Sequence, residues 1–346
     1  SKKLNMSLKN LSVKNKIPRI YKDKLKNKKI NLLYKRFEKS ININENFGVA
    51  VSGGSDSLAL AFFAKIYSIK RNIIPKFFIV DHKLRPESTK EAKIVQKILR
   101  KISINLEILT WRGKKPKNNI QSIARKKRYQ LMNDRCDKYK IKSLLVGHHQ
   151  DDLIENFFIR MFRGSGLKGL VSLDKKNKIN NKNIFRPLIN QKKDDLIFIC
   201  KRIFNFYIKD PSNDEEKFQR IKIRKLIKEL RNSGFDNEKF LKTINNLKHS
   251  NNVINFYVIE NLKKNTFFSN KNKKIILNKN FFLQSYEVIF RGFSESLRQI
   301  GKKYYSVRGK KLDKMIYDIK NNRLSRSTLG GCIVEKVNQT IIISKE

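Results

Sequence analysis

Three observations predict an α/β fold, a parallel sheet with helices on both faces, followed by a smaller helix-rich domain. Short all-apolar runs alternate with helical patterns from Phe47 to about Phe162, the signature of strands buried on both sides. A polar cluster stands directly after each of three of those runs, where ligands of such sheets bind. Beyond about Asp214 the alternation stops and longer Lys- and Asn-rich helical stretches take over.

Taken in order, residues 1–27 are rich in Lys and Asn with little apolar periodicity and predict a flexible basic extension. Ile30, Leu32, Leu33 and Phe37 then recur at roughly helical spacing. A buried strand over 48–51 runs into a glycine-containing turn and an apolar helix over 57–69. Strand 77–80, an amphipathic helix over 88–102, strand 106–109, a helix over 121–139, strand 143–146 and a helix over 151–162 continue the pattern. The expected organisation is a catalytic domain over 28–214 and a helix-rich domain over 215–346. Helices are expected over 218–231 and 237–262, with short strands over 274–277, 332–337 and 340–343.

Composition narrows the function. Lys and Arg number 79 against 30 Asp and Glu, a formal net charge of +49. Part of that excess reflects the Lys/Asn/Ile drift of an AT-rich genome; the remainder favours a polyanionic partner bound with counterion release. No run of ~18 apolar residues and no apolar stretch behind the basic start is present, so neither a membrane span nor a secretory signal is expected. Cys136, Cys200 and Cys332 form no CxxC pair and fit buried thiols in a reducing cytoplasm.

The richest motif is Ser52-Gly53-Gly54-Ser55-Asp56-Ser57, between the first strand and its helix. Two glycines let the backbone approach a phosphate, and the amides of the first helical turn point at it. Ser52, Ser55 and Ser57 add hydroxyl donors. A Walker loop would carry a lysine here; this loop carries Asp56, a carboxylate that makes sense beside polyphosphate if magnesium lies between them. The loop resembles that of the PP-loop ATP pyrophosphatases, which implies the adenine nucleotide α-hydrolase-like fold and cleavage of ATP between its α and β phosphates.

Further strings narrow the resemblance. They are Asp81-His82-Lys83-Leu84-Arg85-Pro86, Gly147-His148-His149-Gln150-Asp151-Asp152-Leu153-Ile154-Glu155-Asn156, Arg163-Gly164-Ser165-Gly166, Arg186-Pro187-Leu188, and Asp210-Pro211-Ser212-Asn213 with Arg220 and Arg224. Together they resemble the tRNA(Ile)-lysidine synthetase family from about Phe47 to Arg224. The resemblance implies ATP and magnesium as cofactors, and free L-lysine and a tRNA(Ile) with a CAU anticodon as partners. Lysine would be joined to the wobble cytidine through an adenylated base.

On that reading Asp152 and Glu155, three apart and so on one helix face, suit the lysine ammonium. Asp56, Asp152, Glu155, His149 and Arg224 are the catalytic candidates. Either the carboxylate pair or a histidine could accept the amine's proton. Arg85, Arg125, Arg128, Arg163 and Arg220 are candidates for contact with tRNA or phosphate. The oligomeric state stays open, a homodimer included. The rivals are another PP-loop tRNA enzyme, such as a cytidine thiolase, a small-molecule amidating synthetase, and a non-catalytic RNA-binding protein on the same scaffold.

Overall fold

The structure, a computed structural model, describes residues 17–113, 116, 118, 120–179, 181–208, 219–269, 273–302, 307 and 309–346. Two compact units divide the chain, 1–236 and 237–346.

The first unit begins with α1 (Arg19–Leu25) and α2 (Lys28–Ser40). Asn27 caps α2: its Oδ1 accepts from the amides of Lys29 and Ile30 at 3.0 and 3.1 Å, satisfying donors that a helix start leaves open. Ile30, Leu33, Tyr34 and Phe37 make the buried stripe of α2. In α1, Tyr21 is buried beside Phe62, ring centroids 5.9 Å apart, and its hydroxyl donates to the Ile102 carbonyl. The flexible extension expected over 1–27 is therefore corrected: from Arg19 onward the chain is helical, because one buried aromatic anchors an otherwise polar helix. Residues 1–16 lie outside the described residues.

Strand and helix then alternate as expected. β1 (Phe47–Val51) leads into α3 (Ser55–Arg71), β2 (Lys76–Asp81) into α4 (Ser88–Arg100), and β3 (Leu106–Thr110) into α5 (Ile120–Lys138). β4 (Ser143–Leu145) leads into α6 (Gln150–Met161) and the single turn α7 (Leu167–Leu170). A hairpin of β5 (Lys176–Ile179) and β6 (Lys182–Phe185) follows, then α8 (Lys193–Phe204) and α9 (Gln219–Asn232).

The sheet order is β3-β2-β1-β4-β6-β5, with β3, β2, β1, β4 and β6 parallel and β5 antiparallel to β6. Side chains alternate between its two faces. Val49, Phe77 and Ile79 join a core formed with α1, α2, α3, α4 and α8; Phe78, Val80 and Leu144 join a second core with α5. α3 is apolar on nearly every side, Leu58 through Ala64 all being buried, because α2 and α8 pack on it.

The chain first walks outward from β1 to β2 and β3, then returns to β4 on the other side of β1. That reversal leaves a crevice beyond the carboxyl ends of β1 and β4. The hairpin and α8 are absent from the sequence reading. Its first strand, Lys-Asn-Lys-Ile, has no apolar run to betray it.

The second unit consists of α10 (Asn237–Asn265), β7 (Thr266–Ser269), β8 (Lys274–Leu277), a 3-10 turn (Lys279–Leu283), α11 (Tyr286–Gly301), α12 (Gly309–Lys320), β9 (Arg326–Thr328), β10 (Cys332–Val337) and β11 (Thr340–Lys345). Its strands form an antiparallel sheet in the order β7-β8-β11-β10-β9. Leu277, Phe281, Ile289, Phe293, Leu312, Val334 and Ile343 are among its core residues. The buried Arg291 of α11 donates to Asn251 and Asn255 of α10 at 2.7 and 3.0 Å and tethers the two helices. The unit is helix-rich as expected, with a sheet larger than the three short strands expected. The first unit reaches past 214 because α9 packs on α6.

Candidate functional site

The turn after β1 is held open by its own hydrogen bonds. Ser57 Oγ accepts from the Ser52 amide at 3.0 Å and donates to the Gly54 carbonyl at 3.0 Å. Gly53 sits at φ 87°, a region that L side chains rarely enter, and its carbonyl accepts from the Ile208 amide at 3.0 Å. The start of α3 is thereby fixed with Ser55, Asp56 and Ser57 in its first turn, the arrangement that makes a helix N-terminus an anion site.

The turn after β4 lies directly against this loop. A Cβ on Gly147 would stand 3.2 Å from the Asp56 carbonyl carbon and the Ser57 nitrogen, tighter than side-chain carbons ordinarily sit, so glycine suits the close approach of the two turns. Next along the chain, His149 caps α6. Its Nδ1 accepts from the Asp151 amide at 3.2 Å, and its own amide donates to Asp152 Oδ2 at 3.0 Å. The cap fixes the ring, and His149 Nε2 faces two carboxylates, Asp56 at 3.7 Å and Asp152 at 3.5 Å.

A chain of alternating charges runs through the crevice. Lys193, the first residue of α8, donates to both oxygens of Asp56 at 2.8 and 2.7 Å. Asp56 faces His149, His149 faces Asp152, and Asp152 faces Arg220 NH2 at 3.3 Å. Arg220 Nε lies 3.2 Å from Glu155 in an ion pair without hydrogen-bond geometry, while Arg224 Nε donates to Glu155 at 2.6 Å. Asp151 turns the other way and accepts from Arg231 at 2.9 Å.

Burial works against the Asp152 carboxylate, but His149, His148 and Arg220 together hold it below its ordinary range. Burial pushes the Glu155 carboxyl up, and Arg224 and Arg220 only partly offset this. Burial, with the nearby Arg186, Arg125 and Arg220, brings His148 down to about 4 against the pull of Asp152. Its Nδ1 has no hydrogen-bond partner among the described residues.

The turn after β2 is a third arm. Asp81 is buried and accepts from the Lys83 amide, Ser88 and Thr89 at 3.0, 2.8 and 2.6 Å. Burial raises this carboxyl, and those three donors outweigh it and bring it below its usual range. His82 stands edge-on to Trp111, centroids 6.3 Å apart, and accepts from Arg128 Nε at 3.2 Å. Burial and Arg128 bring it down to about 4, so it is a neutral acceptor at pH 7.

The sequence candidates thus divide. Ser52, Gly53, Gly54, Ser55, Asp56, Ser57, His149, Asp152, Glu155, Arg220 and Arg224 converge on one crevice. Arg85 instead pairs with Glu91 of its own segment at 3.0 Å and Arg163 donates to Gln219 at 2.8 Å, while Arg125 lies over the Tyr129 ring at 5.4 Å with its charge still felt at His148. The string 210–213 lies outside the described residues.

Lys193 escaped the sequence reading because α8 itself did. Its one local signal is a cation at a helix start, where the dipole disfavours one. Arg186, quoted only as part of a string, is buried and donates to the Asp174 carbonyl and to Asn177, bracing the hairpin beside His148.

Comparison with known proteins fits this geometry. Residues 23–230 match the family model of a PP-loop domain. A tRNA(Ile)-lysidine synthase of Orientia tsutsugamushi (strain Boryong) is 36% identical over 315 residues, taking in 88% of this chain and 70% of that protein. Those of Wolbachia pipientis wMel and Rickettsia akari (strain Hartford) are 32% and 33% identical, covering 88% and 91% of this chain and 71% and 74% of their own. Among solved structures, the U34-tRNA thiolase NcsA of Methanococcus maripaludis superposes with a TM-score of 0.54 at 18% identity, covering 64% of this chain and 80% of that one. At that identity the likeness concerns the fold alone.

Proposed function

Because the chain belongs to the tRNA(Ile)-lysidine synthase family of PP-loop enzymes, we propose that it joins free L-lysine to carbon 2 of the wobble cytidine of a CAU-anticodon tRNA(Ile), splitting ATP to AMP and pyrophosphate. The observation that carries this reading is the meeting of two turns. The phosphate loop after β1 and the acidic helix start after β4 share one crevice, with His149 standing 3.7 Å from Asp56 and 3.5 Å from Asp152. An ATP-activating loop and a seat for a cationic substrate are what a two-step ligation needs within reach of one base.

In the first step the exocyclic oxygen of the cytidine attacks the α phosphorus, and the bond to the leaving pyrophosphate breaks with its electron pair. Ser52, Ser55, Ser57 and the first amides of α3 hold the phosphates. In the second step the lysine side-chain amine, once deprotonated, attacks carbon 2. The carbon–oxygen bond to AMP breaks, and a second proton leaves the nitrogen. Asp152 and Glu155 receive the ammonium, taking it in place of the Arg220 and Arg224 guanidiniums that they bind here. His149 Nδ1 is engaged by the Asp151 amide and its Nε2 faces the carboxylates, so the ring orients Asp152 while the Asp152–Glu155 carboxylate pair takes up the proton.

Magnesium fits the donor set. Asp56 offers two oxygens that already hold one cation, the Lys193 ammonium, and a hard divalent ion is ordinarily held by one or two carboxylates together with substrate phosphates. When bound, the ion would neutralise charge on the polyphosphate. The high positive charge suits a tRNA partner, with Arg125, Arg128 and Arg163 candidates for its backbone. The three free thiols, all buried, suit a reducing cytoplasm, and a homodimer is compatible with the reading.

The test supplies radiolabelled lysine, magnesium-ATP and a CAU tRNA(Ile) transcript. Label should enter the tRNA, dependent on ATP and on the wobble cytidine. AMP formation without lysine transfer would sink the ligase reading and leave an adenylating enzyme with another nucleophile.

A further inference from the structure

We infer that Lys193 is the phosphate-binding lysine of the ATP site, delivered to the loop from a distant helix rather than from within the loop. The inference rests on the proposed adenylation and adds a residue to it.

Five observations lead there. The loop Ser52-Gly53-Gly54-Ser55-Asp56-Ser57 contains no cation, although its three serines, two glycines and helix start are the other parts of a polyphosphate cradle. The Lys193 ammonium stands at that cradle, 2.8 and 2.7 Å from the two oxygens of Asp56. Its side chain is 37% exposed, so the charge reaches the crevice and is not sealed in the core.

Its place in its own helix is also unfavourable. Lys193 opens α8, and the N-cap residue Lys192 gives the helix start no side-chain capping hydrogen bond. A helix start favours acidic groups and disfavours a cation. Asp194 and Asp195 answer the dipole in the same turn; Lys193 turns its charge to the phosphate loop instead.

The segment around Lys193 is braced on both sides of the loop. α8 packs along α3 through the buried Leu196, Ile199 and Cys200, and after α8 the Ile208 amide donates to the Gly53 carbonyl at 3.0 Å. The lysine thus has a fixed origin close to the loop, while its four-carbon stem lets the ammonium move from Asp56 to a phosphate oxygen. In the adenylation step no proton is transferred and negative charge accumulates on the departing pyrophosphate. The Lys193 ammonium meets that charge, as a point cation suits a phosphate.

The competing role is a staple between α8 and α3. A partly exposed ion pair contributes little to stability, so a staple would move the melting temperature by roughly a few degrees and leave chemistry alone. Lys193→Met and Lys193→Arg separate the two.

With the full chain, ATP binding at equilibrium and pyrophosphate release with the CAU transcript are measured beside the melting temperature. We expect Lys193→Met to lower kcat for pyrophosphate release on the order of a hundredfold, and to weaken ATP binding by roughly threefold to tenfold. Lys193→Arg should restore at least a tenth of the wild-type rate. Wild-type ATP affinity and wild-type pyrophosphate release in Lys193→Met, with only a lower melting temperature, would overturn the assignment.

The two readings fail separately. Wild-type protein that releases pyrophosphate but transfers no lysine removes the ligase reading and leaves the Lys193 result standing. Lysidine formation undiminished in Lys193→Met removes the Lys193 assignment alone. Should no tRNA elicit pyrophosphate release, the ATP-binding comparison decides: weaker binding in Lys193→Met, rescued by arginine, keeps the assignment, and equal binding rejects it.

Discussion

Glu155 has lost nearly all contact with water, and its two oxygens lean on guanidiniums from a helix about seventy positions further along the chain. Leaving such a carboxylate unpaired costs more than the pair gains. Because the Arg224 side chain is itself 41% exposed, the expected loss for Arg224→Ala is about 1–2 kcal/mol, below that of a fully buried pair. Urea denaturation measures it, and adding Glu155→Gln to that variant should recover part of the loss. An unchanged midpoint in Arg224→Ala would mean that solvent already satisfies Glu155. Neither the pairing nor the orientation of Asp151 away from it could be read from charge alone in a chain with 79 basic residues.

The turns after β1 and β4 lie against each other, and Gly147 stands at their contact. A methyl on Gly147 meets backbone atoms of Asp56 and Ser57 at 3.2 Å, which cannot swing aside as a side chain can. Gly147→Ala should therefore displace the phosphate loop at a cost of about 1–3 kcal/mol, seen as a KM for ATP raised about tenfold or more. A KM within twofold of wild type would show that the loop yields freely. Gly53→Ala combines a φ of 87° with a Cβ 2.6 Å from Ile208 and 2.8 Å from Val95. Its expected cost is about 1–3 kcal/mol of stability as well as ATP affinity, and thermal melts with and without ATP separate the two contributions.

For the molecule as a whole, pH and salt are the informative variables. His82 and His148 are neutral when folded and titrate near 4, whereas an unfolded histidine titrates near 6.5. Between those values the unfolded chain binds more protons, so stability is full above about 6.5 and falls as pH drops toward 4. Unfolding free energy measured across that range should decline, and His82→Gln should flatten the decline; a profile unchanged by that substitution would remove His82 from it. The net charge of +49 carries a second expectation. Affinity for tRNA should fall on the order of a hundredfold or more between 50 and 200 mM salt, as filter binding would record, and a flat salt response would argue against a phosphate-dominated interface.

Much of this protein is written locally. Alternating apolar runs give the parallel sheet because a strand buried on both faces has no other composition available, and the Ser52-to-Ser57 string declares a phosphate loop because backbone approach requires glycine there. The acidic start of α6 is likewise legible, since a capping histidine and acids in the first turn are local chemistry. What the linear order could not give are the partnerships across it. Lys193 on Asp56, Arg224 on Glu155, Gly147 against Ser57 and Tyr21 under α3 each join residues separated by long stretches of chain. Coulomb attraction and close packing depend on distance in space, and that distance is fixed only when β4 returns beside β1 and α8 and α9 fold back onto the crevice.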